Sequence, residues 1–515
     1  MNVYYGLRRT AWLSPDAVAI RSESGVKTYR EFQQRVIQVG NMLRGCGVDP
    51  GDRVAVLMLN SPKYLELYYA CALIDVVIVP VNIRLGLEEM AFWLNDSESK
   101  ALVVDNRFGA VPFDLGDKLT TVRTVLNAET EPYEQYVAAA SNESPEVPEP
   151  SDRDLAGIFY TSGTTGGPKG VMLSHGNLYA NAMNIMAEGD VIRRGGVWLH
   201  AAPMFHLADV TALFVTTLVG STHTFIPFFD CENFLKAVER SRVTHTILVP
   251  TMINLLINHP GNEKYDTSSL ESIGYGASPM PLDLLKRGTA RFGSIFQQGY
   301  GMTEAAPLLT WLPKASHSFE EAGERWAAVK SAGRPIIGVD VRVVDTEDRP
   351  LPPYETGEVI ARGGNIMMGY WKREEITANT LRNGWLHTGD LGAFDERGYL
   401  HILDRAKDMI KTGGENVYSP EVETVLYRHP SVLEAAIIGI PDDKWGEAIR
   451  AVVVLRPGCE ATDEEIITFC REHLTHFKCP SSVEFIDALP KGGTGKIQKN
   501  RLREKFWQGQ EKRVN

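Results

Sequence analysis

A short stretch of glycines and hydroxyl side chains beside one lysine carries the clearest chemical signal in the sequence. Residues 160–170 read YTSGTTGGPKG. Glycines let the backbone curl around a ligand, and the hydroxyls together with Lys169 can donate to phosphate oxygens. The stretch is not a Walker A loop, because Pro168 replaces the glycine before the lysine and Gly170 replaces the following Ser or Thr. It predicts a phosphate site outside the P-loop NTPase fold, and composition alone leaves a Ser/Gly-rich surface turn as the alternative.

Six further motifs follow this loop in order along the chain. They are APMFH at 202–206, YGAS at 275–278, QGYGMTEA at 298–305, TGDL at 388–391, DRAKDMIKTGGENVYSPEVE at 404–423 and PKGGTGKIQ at 490–498. Together they resemble the core motifs of the adenylate-forming superfamily, which contains acyl-CoA synthetases, aryl-CoA ligases, luciferases and peptide-synthetase adenylation domains. The motifs span nearly the whole chain, so a chance match of all of them is negligible.

The resemblance implies a site for ATP and Mg²⁺. Thr303 would contact the α-phosphate, and Glu304 would offer the hard carboxylate oxygen that Mg²⁺ prefers, with Thr161 as a second metal contact. Asp390 would accept hydrogen bonds from the ribose hydroxyls, and Arg405 would contact the same sugar. The other nucleotide contacts that the resemblance implies are Ser162, Gly163, Thr164, Thr165, Lys169, Gly276, Ala277, Gln298, Gly299, Lys496 and Tyr300, whose ring is expected to stack on adenine.

A swing of one domain is also implied by the resemblance. Lys496 would bridge the attacking carboxylate and the α-phosphate, which reduces their repulsion. The C-terminal domain would then rotate about Lys407, bringing Lys411 into the second half-reaction. Gly413 and Gly414 would line a tunnel for the slender pantetheine arm of coenzyme A, because larger side chains would block it.

The acid would bind beside the APMFH motif. By resemblance, His206 is a gate next to the acyl carboxylate, and Ala208, Ala212 and Gly301 line the acyl pocket. The stretch 207–214, LADVTALF, is mostly small and apolar and contains no lysine or arginine. It therefore predicts a monocarboxylic acid with an apolar body, either a fatty chain or an aryl acid. Hydroxycinnamate ligases often have tyrosine and serine where this chain has Ala208 and Ala212, which weighs against a phenylpropanoid.

An amino-acid substrate is disfavoured. Its ammonium group would need an acidic partner, and Asp209 is the acid available in this stretch. We expect Asp209 to cap a helix or face solvent instead. The missing carrier domain also weighs against a peptide synthetase.

The elements that must position these motifs are those of an α/β fold. Helix-like residues 29–44 alternate with apolar runs at 53–58 and 101–104, and a parallel sheet is expected. Shorter β runs at 339–344 and 357–361 indicate a small β subdomain. The predicted fold is a large N-terminal domain of α/β sheets with that subdomain, plus a small mobile α+β C-terminal domain. The predicted boundaries are 1–403, a hinge at 404–407, and 408–515.

Composition argues against nucleic acid and membranes as partners of this protein. Among 515 residues, 53 are Lys or Arg and 65 are Asp or Glu, and the net charge of -12 opposes nonspecific binding to nucleic acid or anionic lipid. The apolar run 68–81 contains Asp75 and is shorter than the ~20 residues of a membrane-spanning helix, so no integral membrane segment is expected. The six dispersed cysteines and the lack of a secretory leader indicate the cytoplasm.

The predicted activity is that of an ATP-dependent acid–CoA ligase. It would use ATP, Mg²⁺ and coenzyme A to convert a small carboxylic acid into an acyl-adenylate and then a thioester. Two alternatives keep the adenylation but load a carrier protein or perform a luciferase-like oxidation. A third is a nucleotide sensor without turnover. The resemblance also favours a homodimer.

Overall fold

The computed structural model describes residues 1–161, 167–189, 191–319, 326–492 and 497–507. It has a mixed α/β architecture, with a large N-terminal domain of several sheets and a smaller C-terminal domain. The predicted fold class is thereby confirmed.

The strands of the described residues lie in chain order. They are β1 (Val18–Ser22), β2 (Gly25–Thr28), β3 (Arg53–Leu57), β4 (Val77–Pro80), β5 (Ser99–Val104), β6 (Thr124–Asn127), β7 (Leu155–Thr161), β8 (Lys169–Ser174), β9 (Val197–His200), β10 (Thr222–Phe225), β11 (His245–Leu248), β12 (Ser272–Gly276), β13 (Phe296–Gly301), β14 (Leu308–Leu312), β15 (Arg334–Pro335), β16 (Val339–Val344), β17 (Gly357–Gly363), β18 (Gly369–Tyr370), β19 (Leu381–Arg382), β20 (Trp385–Phe394), β21 (Leu400–Arg405), β22 (Ile410–Thr412), β23 (Glu415–Val417), β24 (Val432–Asp442), β25 (Gly446–Leu455) and β26 (Ser482–Phe485).

The α-helices alternate with these strands. They are α1 (Tyr4–Leu13), α2 (Tyr29–Gly45), α3 (Pro62–Leu73), α4 (Leu87–Asp96), α5 (Val111–Leu115), α6 (Glu131–Ala139), α7 (His175–Ala187), α8 (Leu207–Val219), α9 (Cys231–Ser241), α10 (Pro250–Asn258), α11 (Leu282–Phe292), α12 (Glu374–Thr380), α13 (Ser419–Leu426), α14 (Asp463–His473) and α15 (Lys499–Glu504). None of the helices in the described ranges has the length and apolar character that crossing a membrane would require.

Two large sheets form the body of the N-terminal domain. One has the order β15-β14-β13-β12-β11-β9-β10-β1-β2, and the other has the order β18-β8-β7-β4-β3-β5-β6. Their central strands run parallel, which confirms the parallel sheet expected from the sequence. Ligands in such sheets bind beyond the carboxyl ends of the strands. The motif residues stand at or just after the carboxyl ends of four of these strands, β7, β9, β12 and β13.

The smaller sheets complete the fold. The predicted β subdomain is a sheet of β16-β17-β20-β19 with β21 beside β20. The C-terminal domain has the sheet β23-β22-β25-β24, with β26 parallel to β25, and α13 and α14 pack against it. Asp404 and Arg405, the first residues of the predicted hinge, still belong to β21.

Two helices are buried almost all round and hold the N-terminal domain together. Every residue of α3 from Tyr64 to Leu73 is buried, and so is nearly every residue of α8. A helix that is apolar on all sides belongs in a core. The ring of Phe214 on α8 packs edge-on against Tyr69 and Tyr68 of α3, with centroids 5.8 and 6.3 Å away.

One carboxylate lies inside this apolar packing. Glu66 on α3 has no exposed surface, and its two oxygens accept from Lys27 at 2.9 Å and from Arg35 at 3.1 Å. Arg35 also pairs with the half-exposed Glu134 at 2.7 Å. A buried charge costs free energy unless it is paired, so Glu66 fixes α3 to its cationic neighbours.

Replacing Glu66 by Gln should lower the free energy of unfolding by about 2 kcal/mol, because two cations lose a buried anionic partner. Urea unfolding of both proteins at pH 7 measures the difference. Glu134→Gln is the matched control, and its more exposed ion pairs should cost less than about 1 kcal/mol. Equal losses in the two variants would show that the burial of Glu66 does not matter.

Candidate active site

A single cavity of about 1610 Å³ brings most of the predicted site residues together. It lies beyond the carboxyl ends of the parallel strands and extends to the C-terminal domain. The predicted residues that line it are Thr161, Lys169, His206, Ala208, Ala212, Gly276, Ala277, Gln298, Gly299, Tyr300, Gly301, Thr303, Glu304, Asp390, Arg405 and Lys407. Ser162, Gly163, Thr164, Thr165 and Lys496 lie outside the described residues.

The predicted phosphate loop joins two antiparallel strands at the cavity. Thr161 at the end of β7 pairs with Lys169 at the start of β8. Tyr160 anchors this end of the hairpin, because its ring stacks on Trp93 with centroids 4.8 Å apart and its hydroxyl donates to Asp96 at 2.6 Å. The hairpin therefore delivers one lysine and one hydroxyl from a rigid support.

A carboxylate and a tyrosine form the polar wall of the cavity at the β20 strand. Asp390 is buried and accepts a hydrogen bond from the Tyr300 hydroxyl at 2.7 Å, while the Arg405 guanidinium lies 3.3 Å away. Burial and the nearby Asp390 charge raise the pKa of Tyr300 well above its usual range. Tyr300 is therefore a hydrogen-bond donor to Asp390, and the two residues predicted to contact the sugar, Asp390 and Arg405, lie side by side.

Glu304 is another buried carboxylate of the cavity. It lies in a short 3-10 turn after β13, and the Tyr370 hydroxyl donates to its Oε1 at 2.7 Å. The Lys169 ammonium sits 5.2 Å from the Tyr370 ring centroid, a cation–π distance. Burial and the charge of Glu304 raise the pKa of Tyr370. Tyr370 thus links the predicted metal ligand to the predicted phosphate-binding lysine.

These residues fit Mg²⁺ that arrives with a nucleotide. Among the described residues, no cluster of three or more His, Cys, Asp or Glu side chains could enclose a metal. Magnesium bound to nucleotides commonly uses one or two carboxylates plus phosphate oxygens and water. Glu304 provides one such carboxylate, and the Thr161 and Thr303 hydroxyls line the same cavity.

The nucleotide end of the cavity is built from closely packed backbone. A Cβ at Gly276 would lie 2.3 Å from the carbonyl oxygen of Gly299 on the neighbouring strand, and one at Gly301 would lie 1.9 Å from the carbonyl oxygen of Pro307. Ala277 adopts the left-handed φ of +65°. The strand ends can therefore approach each other only because side chains are absent there.

His206 stands where the strand β9 loop enters α8. It is the N-cap residue of the helix, and its ring lies at the cavity. Burial lowers the pKa of His206 to about 4. Within the described ranges its imidazole makes no hydrogen bond, so at neutral pH it is an uncharged group facing the cavity, as suits a gate beside a carboxylate.

One face of α8 forms the apolar end of the cavity. Ala208, Thr211, Ala212 and Val215 line it at the i, i+3, i+4, i+7 spacing of a helix face. Opposite them lie Ile185, Trp198 and Ile247 from neighbouring elements. The predicted acyl contacts Ala208 and Ala212 are thus on the cavity, next to a wall without charge.

The prediction for Asp209 was wrong. Its side chain neither faces solvent nor caps α8; it has no exposed surface, and its Oδ2 lies 2.6 Å from Nδ1 of His200. Ala208 and Ala212 lie on the face of α8 that lines the cavity, and Asp209 lies on a different face, which points into the core. A substrate ammonium group could not reach this carboxylate.

The C-terminal domain presents one of its two predicted faces to the cavity. Gly492, just before the predicted catalytic loop, accepts a hydrogen bond from Arg84 of the large domain at 3.3 Å. Burial lowers the pKa of Lys407 to about 8, and its carbonyl accepts from Arg503 at 3.1 Å. Lys411, Gly413 and Gly414 do not line the cavity; both glycines adopt positive φ in the turn after β22.

Sequence reasoning missed Tyr370 and Arg84. Tyr370 orients Glu304, and Arg84 holds the segment before the Lys496 loop. Neither stands in a motif with an evident chemical pattern. Both contacts join positions that are far apart in the sequence, so no local pattern indicated them.

Comparison with known proteins places these features in context. Residues 7–371 match the profile of the AMP-binding enzyme family, and residues 421–496 match that of the AMP-binding enzyme C-terminal domain. A feruloyl-CoA synthase from an Amycolatopsis species is 42% identical over 501 residues, which are 97% of this chain and 98% of that protein. A fatty acid–[acyl-carrier-protein] ligase from Streptomyces coeruleorubidus is 35% identical, over 97% of this chain and 96% of that protein.

A solved structure shares the whole architecture. The o-succinylbenzoate CoA synthetase of Bacillus subtilis, solved with its acyl-adenylate intermediate, superimposes with a TM-score of 0.86. It is 31% identical, and the match covers 98% of each chain.

Replacing His206 by Gln tests the environment of the imidazole. The folded protein takes up this proton only near pH 4, whereas an unfolded histidine does so near pH 6.5, so wild type should lose stability as the pH falls through this window. H206Q should lack this contribution to the loss. Urea unfolding at pH 7.0, 5.5 and 4.5 measures it. His476→Gln, at an exposed position, is the control, and a wild type–H206Q difference independent of pH would contradict the assignment.

Proposed function

Because this chain belongs to the AMP-binding enzyme family and is an acid–thiol ligase like its relatives, we propose that it joins a monocarboxylic aryl acid to coenzyme A. The observation that carries the proposal is the similarity to a feruloyl-CoA synthase along almost the entire chain. The apolar wall of α8, which contains no lysine or arginine, supports an acid with one carboxylate.

The proposed acid departs from one expectation drawn from the sequence. Ala208 and Ala212 weighed against a phenylpropanoid, because they cannot hydrogen-bond a phenol. Small side chains nevertheless leave room for a ring, and the apolar side chains of Trp198 and Ile247 line the same cavity. A relative named for a phenylpropanoid substrate favours this reading, so we place aryl acids before fatty acids.

The proposed reaction has two displacements. The carboxylate oxygen attacks the α-phosphorus of ATP and pyrophosphate leaves, which forms a mixed anhydride. The thiol of coenzyme A, having lost its proton, then attacks the acyl carbonyl, and AMP leaves. Both steps depend on positioning and on charge compensation rather than on new covalent bonds to the protein.

The residues of the cavity have distinct roles in the first step. We assign Lys169 to the phosphate chain, Asp390 and Arg405 to the ribose, and Thr303 to the α-phosphate. Glu304 would hold Mg²⁺, which neutralises phosphate charge when bound. His206, uncharged at neutral pH, would stand beside the carboxylate without forming an ion pair that slows its attack.

The second step would use the other face of the C-terminal domain. Rotation about Lys407 would withdraw Lys496 and bring Lys411, Gly413 and Gly414 to the cavity. The contacts that would have to change include Arg84 with Gly492 and Arg503 with the Lys407 carbonyl.

We place this reaction in the cytoplasm, because a reducing compartment is compatible with six cysteines that form no disulfide. The homodimer stays a prediction.

A second function is favoured by one observation. The carrier-protein ligase that is 35% identical transfers its acyl group to a carrier thiol according to its name. The adenylating half of the mechanism would be the same, and only the acceptor would differ. The choice of acceptor is therefore the first point to test.

The expected result with purified protein, Mg-ATP and coenzyme A is AMP and pyrophosphate release with hydroxycinnamic and benzoic acids. The rate of release should be lower with fatty acids. It should be lowest with dicarboxylic acids, because the α8 wall contains no lysine or arginine to pair with a second carboxylate. Product thioester is measured by chromatography. Pyrophosphate release that ignores coenzyme A would overturn the proposal in favour of carrier loading.

Lys496→Ala should reduce acyl-adenylate formation by about 10²-fold or more, since a cation that stabilises developing negative charge is lost. Thioester formation from supplied acyl-adenylate should stay close to wild type, because that step uses the other face of the domain. Lys478→Ala, which removes a cation paired with Glu421 elsewhere in the C-terminal domain, is the control. Equal loss in both half-reactions would contradict the role of Lys496.

A further inference from the structure

A chain of four buried polar side chains runs beneath the acid pocket. Asp209 Oδ2 lies 2.6 Å from His200 Nδ1, and His200 Nε2 lies 2.9 Å from His223 Nδ1. His223 Nε2 lies 3.0 Å from the hydroxyl of Thr217. All four residues have no exposed surface. The site chemistry described above uses none of them.

Burial makes the hydrogen bonds of this chain important. A buried polar group costs free energy unless it is hydrogen-bonded, and each of these side chains has its partner in the next one. Burial also lowers the pKa of His223 well below its usual range, so this ring is neutral at pH 7. Both ring nitrogens of His200 and both of His223 are engaged within the chain.

The contact between His200 and Asp209 joins the two ends of the loop that carries the gate. His200 is the last residue of β9, and Asp209 lies in the first turn of α8, nine residues later. His206 stands between them. Loss of this contact would remove the side-chain link between the two ends of the segment.

The middle of the same loop is held from α3 and the turn before it. Asn60 donates to the carbonyls of His200 and Ala202 at 3.2 and 2.8 Å and accepts from the Met204 amide at 2.8 Å. The Tyr68 hydroxyl donates to the Met204 carbonyl at 2.7 Å. The backbone of the gate segment is thus restrained along its length, while the ring of His206 is left to face the cavity.

The contact between Asp209 and His200 also sets which face of α8 meets the substrate. Asp209 is adjacent in sequence to Ala208, and successive residues on a helix point about 100° apart. Anchoring Asp209 to β9 therefore determines the direction of Ala208, and with it the direction of Ala212 one turn later. A small rotation of α8 would move both alanines relative to the acid.

We propose that Asp209, His200 and His223 are positioning residues that determine the acid specificity of this enzyme. The buried hydrogen bonds between Asp209 and His200 and between His200 and His223 hold the His206 gate and the alanine face of α8 in one arrangement. The inference rests on the proposed function, because it concerns the acid that the cavity accepts. It assigns no contact between these three residues and the substrate.

Asp209→Asn tests the contact between Asp209 and His200 with almost no change of shape. The ratio of kcat/KM for a hydroxycinnamic acid to that for benzoic acid should fall about 10-fold, since a larger acid depends more on the exact direction of the α8 face. KM for ATP should stay within about 2-fold of wild type, because β12, β13 and Asp390 are untouched. Steady-state AMP release measures both quantities.

Glu66→Gln is the matched control, because it also replaces a fully buried carboxyl group by an amide, on a helix that packs against α8. Its acid ratio should equal that of wild type although its stability falls. A D209N variant that is destabilised like E66Q but keeps the wild-type ratio would overturn the inference and leave the pair a purely structural one. If wild type activates no aryl acid, the proposed function fails, and the same ratio measured on the preferred acid and a shorter analogue still tests Asp209.

The ring of His200 gives an independent measurement. Nitrogen NMR of the histidine rings at pH 7 should show the His200 signals, assigned by their loss in H200Q, shifted in D209N, because an amide replaces the carboxyl group 2.6 Å from Nδ1. An unchanged His200 signal in D209N would contradict the hydrogen bond on which the inference rests.

Discussion

Repulsion between two anions is the constraint that organises this enzyme. A carboxylate must approach the α-phosphate of ATP, and two anions at contact distance repel each other unless cations lie beside them. The large domain contributes Lys169 on the β7–β8 hairpin and a carboxylate, Glu304, suited to Mg²⁺. The remaining cation is assigned to Lys496 on a separate domain. The division of charge between two domains explains why the cavity lies at their boundary.

Two of the carboxylates that line the cavity are held in the same manner. Asp390 accepts from Tyr300 and Glu304 accepts from Tyr370, both at 2.7 Å. A tyrosine whose pKa is raised by burial donates without bringing a positive charge. Each carboxylate is thereby oriented by a neutral donor, and Asp390 has the Arg405 guanidinium beside it in addition.

The sequence predicted the parts of this site that depend on local patterns. Glycine-rich turns, the order of the motifs and the strand–turn alternation were enough to bring Lys169, Glu304 and Asp390 to one cavity. The roles of Tyr370 and Asp209 were out of reach, because they arise from contacts between positions that no periodicity connects. Asp209 illustrates the reason. An acidic residue in an apolar helix can cap the helix, face solvent or pair with a buried partner, and its actual partner, His200, becomes visible only when β9 and α8 are placed side by side.

The distribution of free space around the cavity has a consequence for evolution. At the nucleotide end, Gly276 and Gly301 have no room for even a methyl group, so this half tolerates little change. At the acid end, alanines on α8 face open cavity, and larger residues there would alter the volume without touching the ATP site. A lineage with this scaffold can therefore acquire new acids by drift on one helix face while its nucleotide chemistry stays constant.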